Sequence, residues 1–451
     1  MPLLTTPRRN RNFSLYARVR GVAPFDSDAA VKPPERINEE QHRSQRLIRL
    51  ATRTRSTYPI PHELGFWLSL QALLRRARGS ICYEAVMRYS RREAQHAGSW
   101  YQSDTERLSQ ALEQWLRRVP SQLTPLRPAD DAILFRNLWG KRDHFLDDSN
   151  VEASLSSEQN PQQVQTQTQV QGRGTLEILV VPHAGYAYSG ETAAFAYAQV
   201  DPARFDRVVI IGPSHHVYMQ KCGLSGAERL ATPLGDLLVD TALVQSWSQL
   251  YPELFEILSK STDEDEHSIE MQLPFLAKVF QGRLQQVRFV PIMCGALSPS
   301  KEKACGRFCA EQVLQPRTLL VVSTDFCHWG QRFGYTPGCK DKLAQERQRL
   351  GVGLSDYIRA LDSMGMYLIS LKDAEGFRAY LQKTGNTICG RHPLAVMLWA
   401  VHFAEPSAWR LVFLRYAQSS ACVDAHDSSV SYVAGAGYRV YEEPRETKSL
   451  R

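Results

Sequence analysis

The sequence predicts an α/β fold: a single large domain with a mainly parallel central sheet flanked by helices. Short apolar runs rich in β-branched residues recur between turn-forming residues, and such runs are typical of strands buried on both faces. Helical patterns separate these runs, and strands that alternate with helices predict parallel βαβ units. The runs that we interpret as strands are residues 176–181, 208–211, 287–293, 318–322, 411–416 and 430–433.

Two helices can be located from the spacing of apolar residues. One is predicted to follow Asp104 and to end before Pro120, because the apolar residues between them fall on one helical face. Those residues are Leu108, Leu112, Trp115 and Leu116. The second helix is predicted over residues 269–280, directly after the acidic run 263–266.

The composition is that of a globular protein and excludes several other classes. Of 451 residues, 43% are hydrophobic and 22% are charged, which excludes a collagenous or wholly disordered chain. The longest apolar stretch, near residues 64–74, is too short and too interrupted to span a bilayer, so we expect no membrane span. The nine cysteines form no regular framework, which favours reduced thiols and a cytoplasmic location.

Basic charge is confined to the start of the chain. Residues 1–84 contain 15 basic and 7 acidic residues and carry a net charge of +8, whereas residues 85–451 carry a net charge of −1. A body that binds nucleic acid would normally present its own basic face. We therefore expect no nucleic-acid partner.

The predicted domain organisation has three parts. Residues 1–84 form a basic extension that is largely disordered or contains one helix. Residues 85–445 form the α/β domain. Within it, residues 120–174 are interpreted as a disordered insertion, because seven of the residues from 159 to 171 are Gln and almost none are apolar. Such a segment cannot bury enough surface to offset the entropy of ordering.

The extension has more than one interpretation. Residues 1–25 contain five Arg and no acidic residue, a pattern that fits a mitochondrial targeting segment. A solvated tail explains the same pattern and is the favoured interpretation. The single helix would cover residues 61–78. Translation from Met87 would remove the extension altogether.

Polar clusters follow three of the predicted strands, at residues 182–186, 212–216 and 323–329. In an open α/β sheet, ligands bind beyond the carboxyl ends of the strands. A fourth cluster, at residues 386–393, combines Cys, His and Gly. Imidazole and thiolate groups are natural ligands of zinc, copper or iron. A single His after a strand is more often a hydrogen-bonded loop residue, so the residues alone leave a metal site and a structural role open.

Other candidate residues favour structural roles. The acidic run 263–266 is interpreted as anions stabilised at a helix N-terminus. His267 has two interpretations, a residue that lines the cleft and a capping residue, and the capping role is favoured. Cys305 and Cys309 lie one helical turn apart without a matching His pair and are interpreted as core or surface thiols. The sequence has no Gly-rich phosphate loop and no Gly-x-Ser-x-Gly elbow, so neither nucleotide binding nor a serine nucleophile is indicated.

Seven sequence blocks resemble the Memo family (mediator of receptor-driven cell motility). They occur in the family's order and extend over roughly residues 90–440. The blocks are residues 92–101, 182–186, 212–216, 263–270, 325–330, 386–393 and 416–420.

The resemblance implies a fold similar to class III extradiol dioxygenases, with a metal site in the cleft. By motif position, the metal ligands would be His183, His215 and Cys389, and the ion would be iron or copper, with zinc as a further candidate. Asp325 and His328 would lie beside the metal as catalytic residues.

The family is also implicated in binding phosphotyrosine peptides. Trp100 would lie in the same pocket, so a phosphotyrosine-containing peptide or a signalling protein is the partner that the resemblance implies.

The cysteine ligand separates this chain from ring-cleaving dioxygenases, which hold iron with two His and one carboxylate. A thiolate donates more charge, favours softer ions and can itself be oxidised. The first hypothesis is therefore a metal-dependent redox or metal-handling role in signalling. The alternatives are a phosphopeptide-binding adaptor without catalysis and a non-haem iron extradiol-type dioxygenase.

Overall fold

The computed structural model of the protein describes residues 88–139 and 174–440. The predicted basic extension 1–84, with its helix, its targeting signal and the alternative start at Met87, lies outside the described residues. The glutamine-rich part of the predicted insertion, from 140 to 173, lies outside them as well.

The described residues form twelve strands and twelve α-helices. The strands are β1 Tyr89–Arg92, β2 Gly174–Val181, β3 Arg207–Pro213, β4 Cys222–Leu224, β5 Ala227–Leu230, β6 Leu237–Leu238, β7 Phe255–Ile257, β8 Arg288–Cys294, β9 Thr318–Ser323, β10 His328–Gly330, β11 Trp409–Gln418 and β12 Ser428–Val440. The helices are α1 Thr105–Arg118, α2 Pro128–Trp139, α3 Tyr186–Tyr197, α4 Thr241–Leu250, α5 Lys260–Asp265, α6 His267–Glu270, α7 Leu273–Val279, α8 Pro299–Gln312, α9 Lys342–Arg349, α10 Leu354–Ser370, α11 Ala374–Thr384 and α12 Arg391–Phe403. Among the described residues, no helix has the length and apolar character needed to cross a bilayer.

A large mixed sheet organises the fold. Its strand order is β10-β12-β2-β9-β3-β8-β4-β7, and β11 pairs with β12. The central strands β2, β9, β3 and β8 are parallel, whereas β12 and β4 join them antiparallel at the two sides. A separate small sheet has the order β1-β5-β6. The predicted α/β class is confirmed, and the parallel part of the sheet is its centre.

The central strands are buried on both faces because helices cover them. In β3, every residue from Val208 to Pro213 is buried, and β9 is buried throughout. Such strands need no polar alternation, which is why their sequences read as continuous apolar runs. Five of the six predicted strands lie within strands of the structure, and the sixth, 287–293, begins one residue before β8.

The two predicted helices differ in outcome. Helix α1 forms as expected, with the Asp104 carboxylate accepting a hydrogen bond from the Arg107 backbone at 2.9 Å. The second predicted helix, 269–280, is instead divided between α6, which has Glu266 as its N-cap residue, and α7, which has Gln272 as its N-cap residue. Its apolar residues are buried nonetheless, apart from the half-buried Val279.

The expected disorder of the insertion 120–174 is wrong for its first part. Residues 128–139 form helix α2, which buries Ala129, Ala132, Phe135 and Leu138 and packs against α10. Apolar side chains at intervals of three residues supply this buried face. The glutamine-rich composition is confined to the later residues of the insertion, so it gives no reason to expect disorder in helix α2.

The strand register places the predicted polar clusters together. Val181 at the end of β2 lies beside Ser323 at the end of β9, and Ile211 near the end of β3 lies beside Val322. The segments that follow these strands therefore leave the sheet at the same edge, which we call the carboxyl edge.

Candidate metal centre

Two imidazole rings and one thiol come together beyond the carboxyl edge. The ligand atoms offered by His183, His215 and Cys389 all lie within 4.8 Å of one another. His183 Nε2 lies 3.1 Å from Cys389 Sγ, and the two imidazole rings meet edge to face with centroids 5.2 Å apart. The structure therefore brings together the three residues that the resemblance proposed as ligands.

Cys389 reaches this position because Gly390 allows its loop to approach β9 closely. A Cβ atom at Gly390 would lie 2.3 Å from the Thr324 side chain, so a larger residue would push the loop away. The Gly390 backbone N–H donates to Thr324 Oγ1 at 3.1 Å. The Asp325 backbone N–H donates to Cys389 Sγ at 3.2 Å, which holds the sulfur atom next to the end of β9.

The hydrogen bonds of Ser323 determine the tautomer of His183. The Ser323 hydroxyl donates its one proton to the Ser268 carbonyl at 2.7 Å and accepts from Gln272 Nε2 at 2.8 Å. It must therefore also accept from His183 Nδ1, which lies 2.8 Å away. A neutral imidazole with its proton on Nδ1 has a lone pair on Nε2, and this is the nitrogen that faces Cys389.

Glu266 orients the second imidazole. Its buried carboxylate lies 2.8 Å from His215 Nδ1 and accepts the His215 backbone N–H at 2.6 Å. Burial lowers the pKa of His215, but hydrogen bonds with Cys389 and Glu266 outweigh it and raise that pKa to about 10. Because the Glu266 carboxylate accepts the proton on Nδ1, Nε2 is the ring nitrogen of His215 that remains for a metal.

The net pKa shift of His183 has the opposite direction to that of His215. Its pKa lies well below the usual range, because desolvation disfavours the imidazolium form and the nearby His215 and His328 add to this effect. His183 is therefore neutral near pH 7, as a metal ligand must be.

Asp325 and His328, the two proposed catalytic residues, lie beside this cluster. Asp325 Oδ1 accepts the His183 backbone N–H at 2.9 Å, and burial raises the pKa of its carboxyl group to about 7. His328 Nδ1 faces the carbonyl oxygens of Phe326 and Thr387 at 2.9 and 3.1 Å, so the proton is on Nδ1 and Nε2 can accept another. Burial lowers the pKa of His328 to about 4, which keeps the ring neutral at physiological pH.

Trp100 joins the cluster through a further histidine. Its indole ring packs against His267 with centroids 4.5 Å apart, and His267 in turn stacks on His215 at 4.3 Å. His96 meets the edge of Trp100 at 5.6 Å. Trp100 is thus near the proposed ligands but is separated from His215 by the His267 ring.

Glu266 is the site residue that sequence reasoning missed, and for His267 the less favoured of the two interpretations, a residue that lines the cleft, describes its position better. The predicted capping role of Glu266 is correct in part, since its carboxylate accepts the Ser268 backbone N–H at 2.8 Å. The interpretation is incomplete, because the same carboxylate binds His215. The capping role expected for His267 is wrong, because its ring is buried between Trp100 and His215. A hydrogen bond between residues 51 positions apart leaves no local sequence signal.

A buried ion network fixes the acidic run in place. The Arg92 guanidinium is fully buried and donates to Glu270 Oε2 at 2.7 Å and to the Glu266 carbonyl at 2.8 Å. It also pairs with the Asp263 carboxylate at 3.3 Å. Strand β1 is thereby attached to the segment that carries Glu266 and His267.

Comparison with known proteins gives a consistent family match. The profile of the family described as "Memo-like protein" matches residues 149–436. "Protein MEMO1" of Rattus norvegicus and of Homo sapiens are each 39% identical over 348 residues, which is 76% of this chain and 96% of theirs. "Protein memo-1 homolog" of Caenorhabditis elegans is 33% identical over 347 residues, 76% of this chain and 81% of its own. A solved structure, the uncharacterized protein JW3007 of Escherichia coli K12, matches with a TM-score of 0.35 and 13% identity, over 58% of this chain and 99% of its own.

Proposed function

This chain belongs to the Memo family, and we propose that it binds an iron or copper ion through His183, His215 and Cys389. The bound ion would serve a metal-dependent redox or metal-handling role in signalling. The observation that carries this proposal is the convergence of two ring nitrogens and one thiol within 4.8 Å.

The donor set fits a borderline or soft transition metal. Imidazole suits iron, copper and zinc, and a thiolate shifts the preference towards softer ions. Three protein ligands leave a coordination position open, which is typical of reactive rather than purely structural sites. The Nδ1 atoms of both histidines are already held by Ser323 and Glu266, so only the Nε2 atoms are offered to the metal. Zinc accepts the same donors, and the choice of iron or copper rests on the family resemblance.

The neighbouring residues support proton transfer at such a centre. A bound redox metal would supply electron transfer and polarise a ligand in the open position. His328 would accept a proton at Nε2, since its Nδ1 proton is held by two carbonyl oxygens. Asp325 would keep His183 in place through its backbone N–H. The adaptor and extradiol dioxygenase hypotheses rest on the resemblance alone and stay predictions.

Element analysis after anaerobic reconstitution tests the ligand assignment. The wild-type protein is expected to retain one iron or copper ion per chain, and Cys389→Ala is expected to lose most of it, because the soft donor is gone. Cys339→Ala is the matched control, since Cys339 is also half-buried and lies outside the cluster. Equal metal content in Cys389→Ala and wild type would contradict the proposal.

A further inference from the structure

A cleft lies at the edge of the central sheet that is opposite the candidate metal centre. Its cavity volume is about 640 Å³, and its lining includes Thr175 and Glu177 from the start of β2, Arg317 just before β9, and Arg439 near the end of β12. Parallel strands begin at this edge, whereas His183 and Asp325 follow the strand ends. We call this space the arginine cleft.

Three arginines line the arginine cleft, and each is anchored by its neighbours. Arg439 Nε and Nη2 form paired hydrogen bonds with the Glu177 carboxylate at 3.0 Å each. Arg204 Nη2 donates to Thr175 Oγ1 at 3.0 Å. Arg317 Nη2 donates to Asp206 Oδ1 at 2.7 Å. Anchored guanidinium groups lose little further entropy when they bind a ligand.

Each of these guanidinium groups retains N–H donors that are available to a ligand. A guanidinium has five N–H donors, and the hydrogen bonds of Arg204, Arg317 and Arg439 use only Nε and Nη2 atoms. Within the described part of the chain, the Nη1 group of each arginine makes no hydrogen bond. The three arginines that line the cavity thus retain N–H donors for an anion with several oxygen atoms.

The charges around the arginine cleft do not cancel. Glu177 is the carboxylate in the lining, and it is neutralised by Arg439. Asp206 lies outside the lining and pairs with both Arg317 and Arg283. Arg204 lies within the lining and, among the described residues, has no carboxylate within ion-pair distance. The cleft therefore has excess positive charge.

The backbone at Arg317 is a second, independent feature of the cleft. Its φ of 63° lies in the left-handed region, which costs a non-glycine residue roughly 1 kcal/mol. Glycine would avoid this cost, yet this position carries a long cationic side chain directed to the Asp206 carboxylate. Backbone strain of this kind is often retained where a side chain has a ligand to hold.

We propose that the arginine cleft binds a small phosphorylated anion. Guanidinium groups match the geometry of phosphate oxygens, and a volume of about 640 Å³ is within the usual range for small-molecule sites. This site is independent of the metal proposal, because it lies at the other edge of the sheet and shares no residue with the cluster of His183, His215 and Cys389.

Titration calorimetry with inorganic pyrophosphate, on metal-free protein at low ionic strength, tests this proposal. The wild-type protein is expected to bind, and Arg204→Gln is expected to weaken binding by roughly tenfold, which is the range for one lost hydrogen bond to a charged group. Arg204→Glu should weaken it further. Arg204 is exposed, so both variants should fold.

Two controls separate the arginine cleft from other sites. Arg229→Gln removes an exposed arginine on β5, in the other sheet, and His215→Ala alters the metal cluster; both should bind pyrophosphate as the wild type does. Absence of binding by the wild type would overturn the proposal. Equal weakening by Arg204→Gln and Arg229→Gln would also overturn it, because the attraction would then be non-specific.

Discussion

Each proposed imidazole ligand is held by one buried oxygen atom that is not itself a ligand. Ser323 fixes the tautomer of His183, and Glu266 holds Nδ1 of His215. Both oxygens act on the nitrogen that points away from the cluster, so they determine which nitrogen remains for a metal. Mutation of a group that hydrogen-bonds to a metal-ligating histidine typically costs 10–100-fold in metal affinity. The strength of the site should therefore depend on residues that contact no ion.

Glu266→Gln is expected to weaken metal binding by roughly 10–100-fold while leaving the three ligands in place. Glutamine keeps a hydrogen-bond acceptor for His215 Nδ1 but removes the negative charge that raises the basicity of the ring. Metal affinity measured by competition with a chelator checks this expectation. Asp265→Asn is the control, because Asp265 is an exposed carboxylate of the same acidic run. An unchanged affinity in Glu266→Gln would show that the carboxylate has no influence on the site.

At the scale of elements, strand β1 and the acidic run 263–266 form one structural unit with α6. Arg92 from β1 is fully buried between Asp263 and Glu270, and Tyr101 donates to Glu270 at 2.9 Å. The segment that carries Trp100 is thereby connected to the segment that carries Glu266. The side chain of Arg92 pairs with two buried carboxylates, which would destabilise this unit if they lost that partner.

Arg92→Ala should lower the free energy of unfolding by about 3–5 kcal/mol, the usual cost of breaking a buried ion pair. The neighbouring Arg91→Ala provides a matched control. Arg91 is about half exposed and pairs with Glu93 and Asp236 at the surface, so its loss should cost about 1 kcal/mol or less. Urea denaturation of both variants measures the difference. A similar small loss in both would mean that the Arg92 network contributes little stability.

For the whole molecule, the central strands could be predicted from the sequence because burial on both faces produces continuous apolar runs. The proximity of His183 and His215 could be expected, since both follow parallel strands that end at one edge. Other features depend on contacts that the sequence does not encode locally. Helix α2 is ordered by packing on α10, more than two hundred residues later in the chain, and Glu266 reaches His215 only after the sheet has formed.

The two edges of the central sheet have different chemistry. The carboxyl edge holds soft and borderline donors, including the neutral buried imidazoles of His183 and His328, whereas the opposite edge holds anchored guanidinium groups around a polar cleft. Loss of metal binding should therefore leave the arginine cleft unchanged, and the tests of the two proposals can fail independently.

X-ray absorption at the K-edge of the bound metal tests the central claim most directly. In reconstituted wild-type protein we expect one sulfur neighbour at about 2.3 Å and nitrogen neighbours at about 2.0–2.1 Å, the distances usual for thiolate and imidazole ligands. The sulfur contribution should disappear in Cys389→Ala. A metal surrounded only by nitrogen and oxygen in the wild-type protein would contradict the His183, His215 and Cys389 site.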